Sequence, residues 1–169
     1  GTLHITGDTN LYLTGGDLLL LSGTYSLYVA LGGNIIVDPG ASLKIYANEK
    51  VFIAADSSAG PEDINRAKDF IIYSRYDSSS TTDYGVEIAV GVKFVGAIYA
   101  PHASVRFLGT VLGVDVYGAV VAKDVNAQAG LYASDSKLRV HYDESLGSFN
   151  AAGSIESTAP SLVNWAEVQ

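Results

Sequence analysis

One internal repeat limits what this chain can fold into more than any other feature. At an offset of 22, the segment Gly91-Val-Lys-Phe-Val-Gly-Ala-Ile-Tyr-Ala100 overlies Gly113-Val-Asp-Val-Tyr-Gly-Ala-Val-Val-Ala122, with five of the ten positions identical. Most of the others exchange one apolar residue for another. A second overlay, at an offset of 17, places Gly15 and Gly16 on Gly32 and Gly33, Gly23 on Gly40, Leu18 to Leu20 on Ile35 to Val37, and Tyr28 on Ile45. Repeats of about this size mark stacked arrays in which each unit covers the apolar edge of the last. A strand–helix–strand unit needs ~30 residues, which leaves no room for a crossover helix. The Asn-Gly and Asp-Gly turns of antiparallel hairpins are missing as well.

The expectation is an all-β, single-stranded parallel β-solenoid (β-helix), with short rungs of roughly 17–22 residues and polar loop excursions. Equivalent residues would stack ~4.8 Å apart, the ordinary interstrand spacing. Glycines would mark corners where φ is positive or space is short. The predicted inward ladders comprise Leu11, Leu13, Leu18, Leu20, Ile35, Val37, Val92, Ile98, Val114 and Val120. Ala97, Ala100, Ala119 and Ala122 are predicted to suit a narrow interior. One domain covers 1–169: first rungs at 2–55, loop-bearing rungs at 56–90, repeat rungs at 91–146, and a terminal cap at 147–169 that carries Leu162-Val-Asn-Trp165. Within 56–90, Asp56 to Lys68 reads as a polar loop leading into one helical turn. Phe70 to Tyr76 reads as a strand and Asp77 to Asp83 as a second polar loop.

Composition bounds the function. With 169 residues, 48 % of them hydrophobic and 17 % charged, the chain can bury a substantial core. A net charge of −8 and ten scattered Lys and Arg residues argue against nucleic acid and anionic membranes, which attract clustered basic surfaces. The absence of cysteine excludes thiolate metal sites, disulfides and cysteine catalysis. No apolar run reaches the ~18 residues of a membrane span. Leu18 to Leu21 is the longest purely aliphatic run. A start at Gly1, together with an acidic composition free of cysteine and methionine, points to a processed piece of an exported protein with any anchor upstream.

No catalytic residues, metal ligands or cofactors are predicted. The histidines His4, His102 and His141 lie far apart in sequence. The 22-residue register would set His102 beside Asp124, and the pair is read as a solvated corner. Asp56-x-Ser58-x-Gly60-x-Glu62-Asp63 alternates oxygen ligands as calcium loops do, yet lacks their acidic repetition and terminal glutamate. It is read as a plain loop. Asp143 and Glu144, adjacent on a strand, would point to opposite faces. The binding candidates are the tyrosines Tyr12, Tyr28, Tyr46, Tyr99 and Tyr117, because phenol rings can stack on sugar faces while their hydroxyls stay wet.

The stretches Gly96-Ala-Ile-Tyr-Ala-Pro-His-Ala-Ser-Val105, Tyr117-Gly-Ala-Val-Val-Ala-Lys-Asp-Val125 and His141-Tyr-Asp-Glu-Ser-Leu146 carry a resemblance. They resemble the C-terminal β-solenoid domain of exported bacterial minor-pilin-like (PilX-like) and adhesin-like surface proteins. The likeness covers 91–146 closely and 2–55 by rung pattern alone. It implies an extracellular, envelope or pilus-associated location and a structural or adhesive role, and it brings no catalytic residues. Expected partners are other surface or pilus subunits or a surface polysaccharide, with end-to-end or edge self-association open. Neither nucleic acid nor membrane contact by this domain is expected. The alternative functions are a carbohydrate-binding module using exposed tyrosines and a polysaccharide-active β-helix enzyme.

Overall fold

Short runs in which apolar and polar residues alternate make the strands. In Leu43–Ala47 the first, third and fifth side chains are buried and the second and fourth are half-buried. That period-two pattern sends alternate side chains to opposite faces of a sheet. The computed structural model describes residues 1–17, 24–89, 93–109, 114–129 and 138–148. Among these the strands are β1 (Thr2–Ile5), β2 (Thr9–Leu13), β3 (Gly16–Asp17), β4 (Thr24–Val29), β5 (Asn34–Val37), β6 (Leu43–Ala47) and β7 (Lys50–Ile53). They continue with β8 (Ser58–Pro61), β9 (Phe70–Ser74), β10 (Tyr84–Ile88), β11 (Lys93–Gly109), β12 (Val114–Ala129) and β13 (Leu138–His141). All thirteen join one sheet. The protein is all-β, and its pairing is parallel throughout except between the two-residue β3 and β4.

The pairings resolve into three ladders. The first runs β1, β5, β8, the start of β11, the start of β12, then β13. The second runs β2, β6, β9 and the middles of β11 and β12. The third runs β4, β7, β10 and the ends of β11 and β12. Each ladder sends one column of side chains inward. Leu11, Ile45, Ile72, Ile98 and Val120 are successive partners on the second ladder. Ile45, Ile72 and Ile98 are no more than 1 % exposed, while Leu11 and Val120 pack partly buried against the same cluster. Ile35 and Val37 are buried as predicted, and Leu13 packs at the core's margin. Leu18, Leu20, Val92, the Val114 side chain and the terminal segment 149–169 lie outside the described residues.

The 22-residue register holds: Phe94 pairs with Val116, Gly96 with Gly118 and Ala100 with Ala122. Gly91 and Gly113 themselves lie outside the described residues. The 17-residue overlay does not hold. Tyr28 pairs with Phe52 on the third ladder, whereas Ile45 pairs with Leu11 and Ile72 on the second. The actual step from Tyr12 to its partner Tyr46 is 34 residues. An offset of half that length matches strands of two different faces, which look alike because all are short and apolar on one side.

Two further expectations are corrected. Residues 56–63 are not one continuous loop: Ser58–Pro61 within them is β8, tied to β5 through the Ser58 amide and hydroxyl, which both donate to Asn34 Oδ1 at 3.0 and 2.8 Å. The helical turn does follow, as a 3₁₀ segment over Ile64–Asp69. Ala97 and Ala119 do not face the main interior. They lie on the outer side of the second ladder in a separate cluster with Ala67, Ile71, Val95 and Leu146, roofed by that 3₁₀ segment and by Glu144–Ser148. Ala100 and Ala122 do face the core.

The corner between the first and second ladders needs glycine. A Cβ on Gly118 (φ 145°) would lie 1.8 Å from the carbonyl oxygen of Gly96, and one on Gly60 (φ 111°) 1.9 Å from that of Val95. Neither conformation nor space admits another residue. Gly118→Ala is therefore expected to lower the melting temperature sharply. Ile98→Asp should do the same, because an unpaired buried carboxylate costs several kcal/mol out of the ~5–15 available to a typical domain. Val121→Asp is the control. Val121 is 49 % exposed, and its substitution should leave thermal denaturation by circular dichroism nearly unchanged.

Candidate functional site

Each inward aliphatic residue of the second ladder has a neighbour that must point outward, and in four successive strands that neighbour is tyrosine. Tyr12, Tyr46, Tyr73 and Tyr99 are register partners in β2, β6, β9 and β11. The Tyr12 and Tyr46 rings stack at 4.7 Å and 7°, and those of Tyr46 and Tyr73 at 4.8 Å and 5°. Tyr73 meets Tyr99 at 6.1 Å and 64°, so the last ring is turned. Burial, and then the neighbouring Tyr46 phenol, push the Tyr73 hydroxyl above its usual range. Three of the sequence candidates thus come together. Tyr73 is the member that sequence reasoning missed.

Tyr28 and Tyr117 do not belong to this column. Tyr28 stacks on Phe52 of the third ladder at 5.3 Å and 14°. Tyr117 stacks on His141 of the first ladder at 4.6 Å and 14°. The stacking also changes what the column can do. Rings at interstrand spacing cover one another's faces and present edges and hydroxyls outward. Sugar recognition by an aromatic platform uses a free face, and Tyr12, 74 % exposed at the end of the column, is the member with a face turned away from its neighbours. The column's main effect is cohesion, at about 0.5–1.5 kcal/mol per ring pair beyond area burial.

The charged groups are organised into local pairs. On the first ladder Arg139 Nε and Nη2 donate to the two carboxylate oxygens of Asp115 at 2.7 and 2.6 Å, and His141 Nε2 lies 2.9 Å from Oδ1. Arg139 first, and then His141, hold the Asp115 carboxyl well below the usual carboxylate range. Asp143 accepts the Ala67 amide at 3.1 Å and so pins one 3₁₀ segment to the start of the other. It is not on a strand, and the sequence reading of two opposed carboxylates is replaced by a cap. Asp83 organises the 77–83 loop. Its carboxylate accepts from the Tyr76 hydroxyl, the Ser79 amide and hydroxyl, and Lys50 Nζ at 2.8 Å. The Lys50 ammonium, above all, depresses the Asp83 carboxyl against the opposing effect of burial.

His102 and Asp124 do not face each other. The register slips after Ala100, so Asp124 stands opposite Ser104, whose Oγ lies 3.4 Å from Asp124 Oδ2. Among the described residues no group of three or more His, Asp or Glu side chains could hold a metal ion, and no helix is long and apolar enough to cross a membrane.

Besides a hollow of about 420 Å³ bordered by Tyr117, His141, Tyr142 and Glu144, three further surface hollows are found among the described residues. Two adjoin on the first ladder and share Ile36 and Glu62. One, of about 420 Å³, is flanked by Lys93, and the other, of about 500 Å³, by His4, Asp38 and Arg66. Their charges are largely engaged: His4 with Asp38, Arg66 with Asp69 and with the carbonyls of Asp38 and Ala41, and Lys93 with the Glu62 carbonyl. The third, of about 180 Å³, opens on the third ladder among Tyr25, Lys50, Phe52, Tyr84, Glu87 and Arg106.

The family model described as Domain of unknown function (DUF7305) matches residues 1–149, and the chain belongs to that family. No curated protein and no solved structure matches it.

Two outcomes follow. Tyr46→Ala removes both stacking partners at the column's centre and should lower stability by about 1–3 kcal/mol, seen as a lower urea midpoint at unchanged slope. Tyr12→Ala, at the end of the column, should have less than half that effect. Asp83, whose folded pKa is depressed, contributes stability that is fully present above the unfolded value near 3.9 and is lost as pH falls below it. Asp83→Asn should therefore lower the melting temperature at pH 7 and flatten its decline under acid.

Proposed function

We propose that this member of the DUF7305 family is a non-catalytic β-solenoid module, exported and displayed on a bacterial envelope or pilus-like assembly, which works by holding a rigid surface in place. The solenoid reading is supported by the order in which the chain visits its ladders. The passes β1–β2–β4, β5–β6–β7 and β8–β9–β10 each cross all three ladders once, and β11 and β12 each cross them as a single strand. A chain wound in this way is stiff, because every rung pairs its backbone with the rungs on either side and buries the inward column of its neighbours.

The observation that carries the non-catalytic reading is the engagement of the ionisable groups. Asp83, Asp115 and Glu87 each hold a cation of the same or an adjacent rung, and Asp143 caps a backbone amide. These contacts fix loops and strands and do not converge on a common point where a substrate could react. The resemblance of residues 91–146 to minor-pilin-like surface domains supports the location.

The test is to incubate the purified chain with a panel of acidic and neutral polysaccharides, with and without calcium, and to assay reducing ends and unsaturated products. No turnover is expected, and the melting temperature should not move with chelator. Products that vanish on mutating Asp115 or His141 would overturn the reading, and so would a large chelator-dependent destabilisation.

A further inference from the structure

We infer that the third-ladder hollow is a binding pocket for a single pyranose ring, the point at which the displayed surface takes hold of a glycan. The inference rests on the surface-module reading above and names the ligand class for it. The pocket is built on three successive rungs. Phe52 of β7 and Glu87 of β10 are register partners, and Arg106 of β11 is the partner of Glu87 on the next rung. Phe52 stacks on Tyr28 on one side and lines the hollow itself, so here an aromatic side chain borders open space between rungs. This is what the tyrosine column does not offer, since its rings cover one another.

The polar groups around Phe52 are fixed in advance. Arg106 lies over the Tyr84 ring with its guanidinium carbon 4.1 Å from the centroid, and Nε donates to Glu87 Oε2 at 2.9 Å. Its Nη2 contact also falls on Oε2. Lys50 is held by Asp83 and lies over the Tyr76 ring. A planar carboxylate beside a planar guanidinium sets acceptors and donors side by side, which is the array that neighbouring sugar hydroxyls require, since each hydroxyl both donates and accepts. An apolar ring edge or face covers the C–H side of the pyranose. Because these side chains are already immobilised, binding loses little conformational entropy. The paired cations and anions balance, which favours a neutral polyhydroxylated ligand over an ion. A hollow of about 180 Å³ has room for one ring and not for a longer segment.

The experiment is an NMR titration of the isotopically labelled full chain with methyl glycosides of glucose, galactose, mannose and N-acetylglucosamine, and separately with inorganic phosphate. At least one glycoside should give saturable shifts centred on Phe52, Tyr84, Glu87 and Arg106, and phosphate should give none there. Phe52→Ala and Glu87→Gln should each weaken binding at least tenfold, with the rest of the spectrum preserved. Should Phe52→Ala disturb the fold, Thr82→Trp at the exposed rim fills the pocket and should abolish binding in a folded protein. Tyr46→Ala, on the other face, should bind as the parent does. The proposal is overturned by the absence of saturable shifts with every glycoside, by shifts that map to the tyrosine column or the first-ladder hollows, or by phosphate reproducing the pattern. A folded chain that binds no glycoside would leave the non-catalytic module reading standing. A bound sugar that is cleaved would do the reverse.

Discussion

Parallel register between neighbouring rungs is the constraint on which everything else depends. A residue such as Ile98 is buried because Ile72 lies on one side of it and Val120 on the other, each in the same inward position. A shift of one residue in either strand would turn the entire inward column out to solvent. Register is fixed where the chain turns most tightly. At the corner between the first and second ladders, Gly118 lies against the Gly96 carbonyl and Gly60 against that of Val95, so neither strand can slide without a clash. The terminal strands show what the neighbours supply. Leu3 and Val140 continue the first ladder's inward column, yet remain 49 % and 48 % exposed at its two ends.

The same register that builds the core sorts the surface. Outward side chains must also stack, and the result depends on which residues share a column. Four tyrosines in one column give a self-satisfied stack. On the third ladder, Tyr28, Phe52, Glu87, Arg106 and Asn126 share a column, and its chemistry changes from aromatic to ionic partway along. The hollow sits at that change, because a ring and a carboxylate on neighbouring rungs do not fill the space that two rings would. On the first ladder the register partners Asp115 and Arg139 carry opposite charges and pair across neighbouring rungs, while Lys93 donates to the Glu62 carbonyl.

How much of this the sequence reveals depends on how evenly the chain steps from rung to rung. Between β11 and β12 nothing is inserted before Ala100, so the 22-residue repeat and the pairing of Gly96 with Gly118 are legible directly. Elsewhere the first ladder's successive partners Thr2, Asn34, Ser58 and Lys93 are 32, 24 and 35 residues apart, because corners carry insertions such as the 3₁₀ segment and the 77–83 loop. Unequal steps conceal Tyr73, which lies 27 residues beyond Tyr46, and they allow a spurious 17-residue match that draws Tyr28 into the wrong column. The slip after Ala100 likewise separates Asp124 from His102. The third-ladder pocket is invisible in sequence for the same reason: Phe52, Glu87 and Arg106 belong to no common motif, and only the pairing brings them together.

The most direct test of this account is cross-linking of designed cysteine pairs, which a chain without native cysteine permits cleanly. Neighbouring parallel strands set register partners about 4.8 Å apart, within the Cα separation of about 4.4–6.8 Å that a disulfide spans. The double variant Tyr12→Cys with Tyr46→Cys should oxidise within the monomer, as should Tyr99→Cys with Val121→Cys. The account also predicts that Tyr12→Cys with Tyr28→Cys stays reduced at equal protein concentration. Intramolecular cross-linking of that last pair, or failure of the first two in folded protein, would contradict the parallel register from which the core, the tyrosine column and the pocket all derive.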